Sequence, residues 1–348
     1  MARILFVGGG SIGHIAPSVA VAHALKRIAP DTRVLFVCGP REEEKQFLSA
    51  EGWEPHILHA PRFSCSFPLR FPRVYLQAHR LLKELKPDGI FSKGGYISVP
   101  LCLAAHRRRI PIVLHESDVV NGYANRLVAR WAHHVCLGFP MATRGDARRT
   151  FTGNPLRPAV TQGSTEEGLR LAKFTNRSRP VLLVMGGSQG SLALNRYVAE
   201  HAAELLSVFD ILHVTGQGKT GIEPKPDGYW PTPFAQKEMP HLYATADIAL
   251  SRAGMNTITE LAANKIPTVL MPLRGVAHDH QEKNARAIET MGGCIVVEES
   301  DADAQLFSIL THLWDNLPRR RALIESSRHL WVPDAAVQIA HIIMESLA

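Results

Sequence analysis

Residues 8–17 read GGGSIGHIAP, directly after the apolar run Ile4 to Val7. Gly8, Gly10 and Gly13 have the G-x-G-x-x-G spacing of a dinucleotide loop. A glycine turn between strand and helix lets backbone N–H groups approach an anion at the positive end of the helix dipole, and that suits any phosphate. A dinucleotide site needs more: an acid at the end of the second strand, about 20 residues on, to hold a ribose hydroxyl. Here that strand ends Val37-Cys38-Gly39-Pro40-Arg41, and the nearest acids, Glu42 to Glu44, come after the Gly-Pro turn as the first turn of a helix. Arg41 alone is weak support for an NADP phosphate, and no cofactor signal is expected. His14 follows the glycine turn instead, where an imidazole can act as general base or anion ligand. A second turn, Gly186-Gly187-Ser188-Gln189-Gly190, follows VLLVM and opens SLALNRYVAEHAAELL. Two such turns predict a substrate whose phosphates lie between two domains.

The elements that must position these turns alternate along the chain. RILFV, RVLFVC (33–38), GIFS (89–92), PIVLHE (111–116) and HVCLGF (134–139) are apolar runs of the kind buried in parallel sheets. Helical patterns such as PSVAVAHALKRI and VPLCLAAHRRR separate them. The rhythm restarts with PVLLVMGG (180–187), FDILHVTG (209–216), ADIALSRAG (246–254), PTVLMPL (267–273) and CIVVEE (294–299), after a turn-rich stretch from Thr152 to Pro180. The expected fold is α/β: two doubly wound Rossmann-like domains facing a central cleft, with ligands outside the carboxyl ends of the strands. The domains are expected at 1–157 and 158–332. A final helix, 333–348, starts at Pro333 and Asp334, has Val337, Ala340 and Met344 on one side, and is expected to pack back on the N-terminal domain.

Composition narrows the class. The 348 residues are 45% apolar and 20% charged, as in a soluble globular protein, and no apolar run is long enough to span a bilayer. The first strand begins almost at once, leaving no room for a signal peptide. Five cysteines lie far apart without C-x-x-C spacing, which argues for a reducing compartment and against a disulfide framework or zinc site. The net charge of +7 is uneven: residues 1–157 hold 22 Lys and Arg against 11 Asp and Glu, whereas 158–348 hold 17 against 21. Such a basic half suits an anionic surface or a phosphorylated substrate.

Seven ordered motifs carry a family resemblance: GGSIGHIAP, FSKGGYISVP (91–100), PIVLHESDVVNGYANRLVA (111–129), GNPLR (153–157), GGSQGSLALN (186–195), SRAGMNTITELAA (251–263) and DHQEKNA (279–285). Their order and spacing closely resemble the MurG family, the N-acetylglucosaminyltransferases that make lipid II of bacterial peptidoglycan. The resemblance implies a GT-B fold and a metal-independent, cofactor-free, inverting transfer of GlcNAc from UDP-GlcNAc to the MurNAc 4-OH of lipid I. It also implies peripheral attachment at the cytoplasmic face of the cell membrane. Carried over by position, Ser11, Ile12, Gly13 and His14 fall on the acceptor loop, with His14 the preferred base and Asp118 and Glu116 its rivals. Asn125 lies in the same acceptor motif. On the donor side, Ser188 matches the diphosphate turn, Ala235 the backbone contact to uracil, and Glu260 the carboxylate on the ribose hydroxyls. Met255, Asn256, Thr257, Ile258 and Thr259 form the turn and helix leading to it. Gln281 matches the glutamine that reads the sugar, with Asn284 beside it, and Arg157 the arginine near the donor's sugar-phosphate end.

Two positions depart from the family pattern. The family loop reads GGTGGH, whereas this chain has Ser11 for Thr and Ile12 for the middle Gly, and a β-branched residue disfavours φ > 0. An altered loop or acceptor approach is therefore expected. Asp118 stands where many members have Asn, exchanging a donor for a charge. A transferase with another acceptor, a UDP-GlcNAc 2-epimerase and a non-catalytic nucleotide-sugar-binding protein remain alternatives. Asp301-Ala302-Asp303 is a D-x-D in a late loop, expected to be solvated rather than metal-binding.

Residues 60–83 interleave Phe63, Phe67, Leu69, Phe71 and Tyr75 with Arg62, Arg70, Arg73, Arg80 and Lys83, with no acid among them. Apolar side chains beside cations suit an anionic lipid surface. Phe63, Phe67, Leu69, Arg70, Phe71 and Arg73 are the expected membrane contacts. No recognisable RNA motif accompanies them, and no nucleic-acid partner is expected.

Overall fold

Runs of apolar residues buried on both faces form the parallel strands of two separate sheets. A computed structural model describes residues 1–60, 67–140, 145–174, 178–187, 189–275 and 279–347, with the side chains of Phe67 and Pro68 also outside the description. The chain divides into two compact units, Met1–Arg157 with Val332–Ala348, and Pro158–Trp331.

In the first unit, β1 (Arg3–Gly8), α1 (Ala16–Ile28), β2 (Arg33–Cys38), α2 (Glu42–Ala50), β3 (Pro55–Ile57) and α3 (Phe67–Leu85) lead to β4 (Gly89–Gly94). Then follow α4 (Ser98–Arg107), β5 (Ile112–Glu116), α5 (Tyr123–Val128), β6 (His134–Leu137) and β7 (Arg149–Phe151). The sheet order is β3-β2-β1-β4-β5-β6-β7, so the direction of winding switches between β1 and β4. That switch is where such sheets open a crevice beyond their carboxyl ends. The two glycine-rich segments after β1 and β4 both end there.

The last helix, Ala335–Glu345, belongs to this first unit, and Ile339, Ala340 and Ile343 pack into the cluster of Ile4, Phe6, Val19 and Leu25. The expected face is thus rotated: Ala340 is central, but Val337 and Met344 sit half-buried at its margins.

The second unit has α6 (Thr165–Ala172), β8 (Val181–Met185), α7 (Leu192–Glu200), α8 (Ala202–Val208), β9 (Asp210–Val214) and β10 (Tyr229–Thr232). It continues with α9 (Met239–Thr245), β11 (Ile248–Ser251), α10 (Met255–Ala263), β12 (Thr268–Leu270), α11 (His280–Thr290), β13 (Ile295–Val296), α12 (Ala302–Asp315) and α13 (Leu317–Ser327). The order β10-β9-β8-β11-β12-β13 repeats the winding of the first unit, with its switch between β8 and β11. The segment after the second glycine turn is two helices, not the single one its pattern predicts. They part at His201, whose ring stacks on Tyr197 and reaches Glu204 and Asp303. Asp303 of the D-x-D is thereby placed against His201.

Candidate active site

After β1 the chain makes Gly9 to Ser11, a 3-10 turn Ile12–His14, and then α1. The left-handed position in this loop is Gly10, at φ +100°. Ile12 takes no positive φ; its carbonyl accepts Ile15 N–H at 2.9 Å, and its side chain packs on the core. The expected conflict between a β-branched residue and the loop therefore does not arise, because the strain falls on a glycine two residues earlier. His14 is half-buried, its N–H donating to Ser11 C=O and its carbonyl accepting Ser18 Oγ. Gly13 lies inside the same turn.

Glu44 is the residue that sequence reasoning passed over. It is 1% exposed, and its carboxylate accepts Gly10 N–H at 2.7 Å and Gly39 N–H at 2.9 Å. So an acid does follow β2, but it faces inward and ties the two loop ends together. The Gly10 amide, which a dinucleotide reading would aim at pyrophosphate, is already engaged. The only available signal was a third glutamate one turn into α2, on the side away from Glu42's solvent.

At the end of β5, Glu116 is buried and accepts Asp118 N–H (3.1 Å), Gly122 N–H (3.3 Å) and Asn125 Nδ2–H (2.8 Å). Burial, reinforced by the charge of Asp118, lifts its carboxyl to about 7, against the Asn125 hydrogen bond and the Lys93 ammonium. Both oxygens hold the turn that follows the strand. Asn125 is buried with it, and its Oδ1 faces Gly94: a Cβ there would stand 2.1 Å from that oxygen. Asp118, half-buried, stays at the accessible rim. Lys93 is the second residue missed, a lysine inside the FSKGGY motif that is buried and donates to Ser117 Oγ. Burial holds its ammonium down at about 8.

Arg157 belongs to the first unit. Its guanidinium pairs with Glu51 and lies over the Phe47 ring at 5.3 Å, both on or beside α2 of the first unit. The Asn-Pro turn before it directs the side chain back onto its own domain.

In the second unit, Ser188 lies outside the described residues. The glycine turn around it leads to Ser191, which caps α7 and accepts from Arg252 Nε at 2.9 Å. Arg252, buried after β11, also donates to Met271 and Pro272 carbonyls and pairs with Glu299 at 2.9 Å. One guanidinium thus joins the carboxyl ends of three neighbouring strands. The S-R-A-G sequence was its signal: a charge between an apolar strand and a glycine.

On α10, Asn256, Thr257 and Glu260 share the half-buried face, as three- and four-residue spacing requires. Met255, Ile258 and Thr259 point into the core, and Thr259 Oγ1 is bonded to the Met255 carbonyl. These three side chains are packing residues; what their segment offers a ligand is the helix N-terminus, whose N-cap is Gly254. Glu260 is oriented by Tyr243 of α9, whose hydroxyl donates to Oε2 at 2.6 Å. On α11, Gln281 Oε1 accepts Leu273 N–H at 3.1 Å, and buried Asn284 donates to the Ala253 carbonyl at 3.2 Å. Ala235 sits half-buried after β10, next to Phe234, whose carbonyl accepts Thr232 Oγ1.

The basic segment is only partly described: Phe63 lies outside it, as does the Phe67 side chain. On α3, Val74, Ala78, Leu82 and Leu85 face the core. Phe71, half-buried, packs on the margin of that core and stacks with Tyr75 at 6.4 Å. Leu69 (84% exposed), Arg73, Leu76 (53%), Arg80 and Lys83 form the outer stripe, with Arg70 exposed beside it. No helix among the described residues is long and apolar enough to cross a membrane.

Two Rossmann-type units, each with a glycine turn and polar side chains gathered at its switch point, define a glycosyltransferase of the GT-B fold. Residues 4–137 match the glycosyltransferase family 28 N-terminal domain, and residues 181–339 its C-terminal domain. A protein of Lachnoclostridium phytofermentans is 34% identical, with 99% of both chains covered, and one of Clostridium novyi is 33% identical, with 88% of both covered. Both are named UDP-N-acetylglucosamine–N-acetylmuramyl-(pentapeptide) pyrophosphoryl-undecaprenol N-acetylglucosamine transferase. The chain belongs to glycosyltransferase family 28. Among solved structures, MurG of Acinetobacter baumannii superposes with a TM-score of 0.74 at 24% identity, covering 99% of this chain and 100% of that one. The UDP-GlcNAc 2-epimerase of Neisseria meningitidis, bound to UDP-GlcNAc, gives 0.68 at 15% identity, with 99% of each covered. These likenesses describe the shared fold.

Proposed function

We propose that this enzyme transfers GlcNAc from UDP-GlcNAc to the 4-hydroxyl of MurNAc in lipid I, forming lipid II. The observation that carries the reading is identity of 33–34% along nearly the whole chain to proteins named for that transfer. Donor and acceptor functions fall on different units. In the second, Glu260 is held by Tyr243 to accept from ribose hydroxyls, Gln281 is fixed to read the sugar, and the α10 N-terminus faces the leaving diphosphate. In the first, His14 takes the proton of the attacking hydroxyl, with Asp118 and Glu116 its rivals. The acceptor oxygen forms its bond to the anomeric carbon from the face opposite UDP. The bond to the UDP oxygen breaks, its electron pair leaves with UDP, and the configuration inverts.

The stripe of Leu69, Arg73, Leu76, Arg80 and Lys83 supports attachment to an anionic membrane surface, where the polyprenyl acceptor resides. The test is transfer of label from UDP-GlcNAc to a lipid I analogue in detergent. His14→Ala is expected to lower kcat by about 10²- to 10⁴-fold with donor affinity kept. Glu260→Ala is expected to abolish saturable UDP-GlcNAc binding. Donor binding without transfer to lipid I would redirect the reading to another acceptor, and no donor binding would sink it.

A further inference from the structure

Leu273 and Arg274 follow β12, and the first turn of α11 comes back to both. Gln281 Oε1 accepts Leu273 N–H at 3.1 Å. The next residue, Glu282, takes the Arg274 guanidinium in a two-pronged pair, Nε to Oε2 at 3.2 Å and Nη2 to Oε1 at 3.0 Å. The same Nη2 donates to Glu298 Oε1 at 2.7 Å, just beyond β13. Arg286, one turn on from Glu282, pairs with Glu282 at 2.9 Å and also with Glu298, which closes a ring of alternating charge. Glu289 extends the ring, pairing with Arg286 at 2.7 Å and accepting Val296 N–H of β13 at 3.1 Å. A single exposed ion pair contributes little, because solvent screens it and two long side chains must be ordered. Here the Glu282 and Glu298 side chains are only 18% and 17% exposed, and each serves both arginines. With one pair in fork geometry, the ring is ordered as a network. What it orders is the approach of α11 to the end of β12, and Gln281 sits on that approach. Flipping its amide would set NH2 against the Leu273 N–H, so Gln281 presents its NH2 in a fixed direction.

We infer that Arg274 determines how strongly the donor sugar is held, because its ring with Glu282, Arg286 and Glu298 keeps Gln281 oriented toward the sugar hydroxyls. Arg274 is a positioning residue that acts through Gln281. In the proposed donor site the ribose and diphosphate fall to Glu260 and the α10 N-terminus, so the ring bears on the sugar and not on UDP. The consequence for binding rests on that reading of Gln281; the brace itself does not.

Calorimetric titration of the full chain with UDP and with UDP-GlcNAc tests this. Arg274→Ala is expected to weaken UDP-GlcNAc binding about 5-fold while the Kd for UDP stays within about 2-fold, and Gln281→Ala to do the same at least as strongly. In the double variant the Arg274→Ala step is expected to add less than about 2-fold, because it acts through a side chain already removed. Glu298→Gln, which opens the ring from its other side, is expected to weaken UDP-GlcNAc and spare UDP in the same way. A merely structural role would weaken both ligands alike. Equal loss for the two ligands, no loss on Arg274→Ala, or losses that multiply in the double variant each overturn the inference. So does a Gln281→Ala variant that keeps the full preference for UDP-GlcNAc over UDP. Amide exchange read by mass spectrometry needs no ligand. Peptides spanning Leu273 to Glu282 are expected to exchange faster in Arg274→Ala than in the parent protein, with those of β8 unchanged; equal rates overturn the brace. A wild-type protein that binds neither ligand sinks the functional reading and leaves the brace to be judged by exchange.

Discussion

Tyr243 reaches Glu260 through a 2.6 Å hydrogen bond from a ring that otherwise belongs to the core of the second unit. Removing only the hydroxyl leaves that packing in place and deletes the donor that orients the carboxylate. A hydrogen bond to a charged group contributes about 1.5–3 kcal/mol, so Tyr243→Phe is expected to weaken UDP-GlcNAc binding by about 10-fold or more, with kcat little changed. Calorimetric titration reads this directly; an unchanged Kd would show that the tyrosine does not orient Glu260. Glu44 makes the complementary case in the first unit. Glu44→Gln keeps the shape, but an amide offers one acceptor oxygen, so its NH2 must face the N–H of Gly10 or Gly39. A buried donor left unpaired costs about 1–3 kcal/mol, which urea denaturation would register as a lower midpoint at constant slope. No change in midpoint would mean that the loop holds its shape without the brace. Neither residue was legible in advance. A sequence shows that a tyrosine lies on an amphipathic helix or that three glutamates open one, but not which of them the tertiary fold turns inward.

Elements were far more legible than their partners. The long central strands were read from apolar runs, because burial on both faces leaves no alternation to confuse. The short β3, β7 and β10 were not, since PHI, RTF and YWPT sit at or next to the sheet edges with mixed burial and too little length for a period. The basic segment shows the same limit. Its composition predicted a surface for lipid, but α3 sends Phe71 and Tyr75 to the margin of the core and keeps Leu69, Arg73, Leu76, Arg80 and Lys83 outside. That stripe makes a prediction at the scale of the helix. With each cation near an anionic surface contributing about 1 kcal/mol, Arg73→Ala with Arg80→Ala is expected to weaken binding to phosphatidylglycerol vesicles by about 30-fold. Co-sedimentation, with phosphatidylcholine vesicles as the uncharged control, checks it. Equal retention by the variant and the parent protein would remove α3 from the membrane contact.

At the scale of the whole molecule, the two units answer acid differently. The second unit buries a closed polar chain: Ile222 N–H donates to Tyr229 OH, which donates to His213 Nδ1; His213 Nε2 reaches Asn195 Oδ1, and Asn195 donates to the Thr215 carbonyl. Burial holds His213 down at about 4, so it is neutral in the fold. Between about pH 6.5 and 4 the unfolded state binds the proton that the folded state refuses, and stability is lost as pH falls through that window, by up to about 3 kcal/mol. In the first unit two buried groups oppose each other. His115, bonded to the Gly153 carbonyl, is pushed well down by burial and acts in the same sense as His213. Glu116, raised to about 7, binds its proton more tightly in the fold and gains stability as pH falls from 7 toward 4.5. The second unit should therefore loosen first on acidification. Four buried thiols among the described residues report on it: Cys294 belongs to the second unit, and Cys38, Cys102 and Cys136 to the first. In urea titrations at pH 7.5 and pH 5, labelled with 4,4′-dithiodipyridine and read by mass spectrometry, the Cys294 midpoint is expected to fall more than those of the other three. A His213→Asn variant is expected to start from a lower Cys294 midpoint at pH 7.5, because the chain is broken, and to lose less on acidification, because the proton-sensitive group is gone. Equal acid shifts for all four thiols, or an unchanged acid shift in the variant, would place the sensitivity elsewhere.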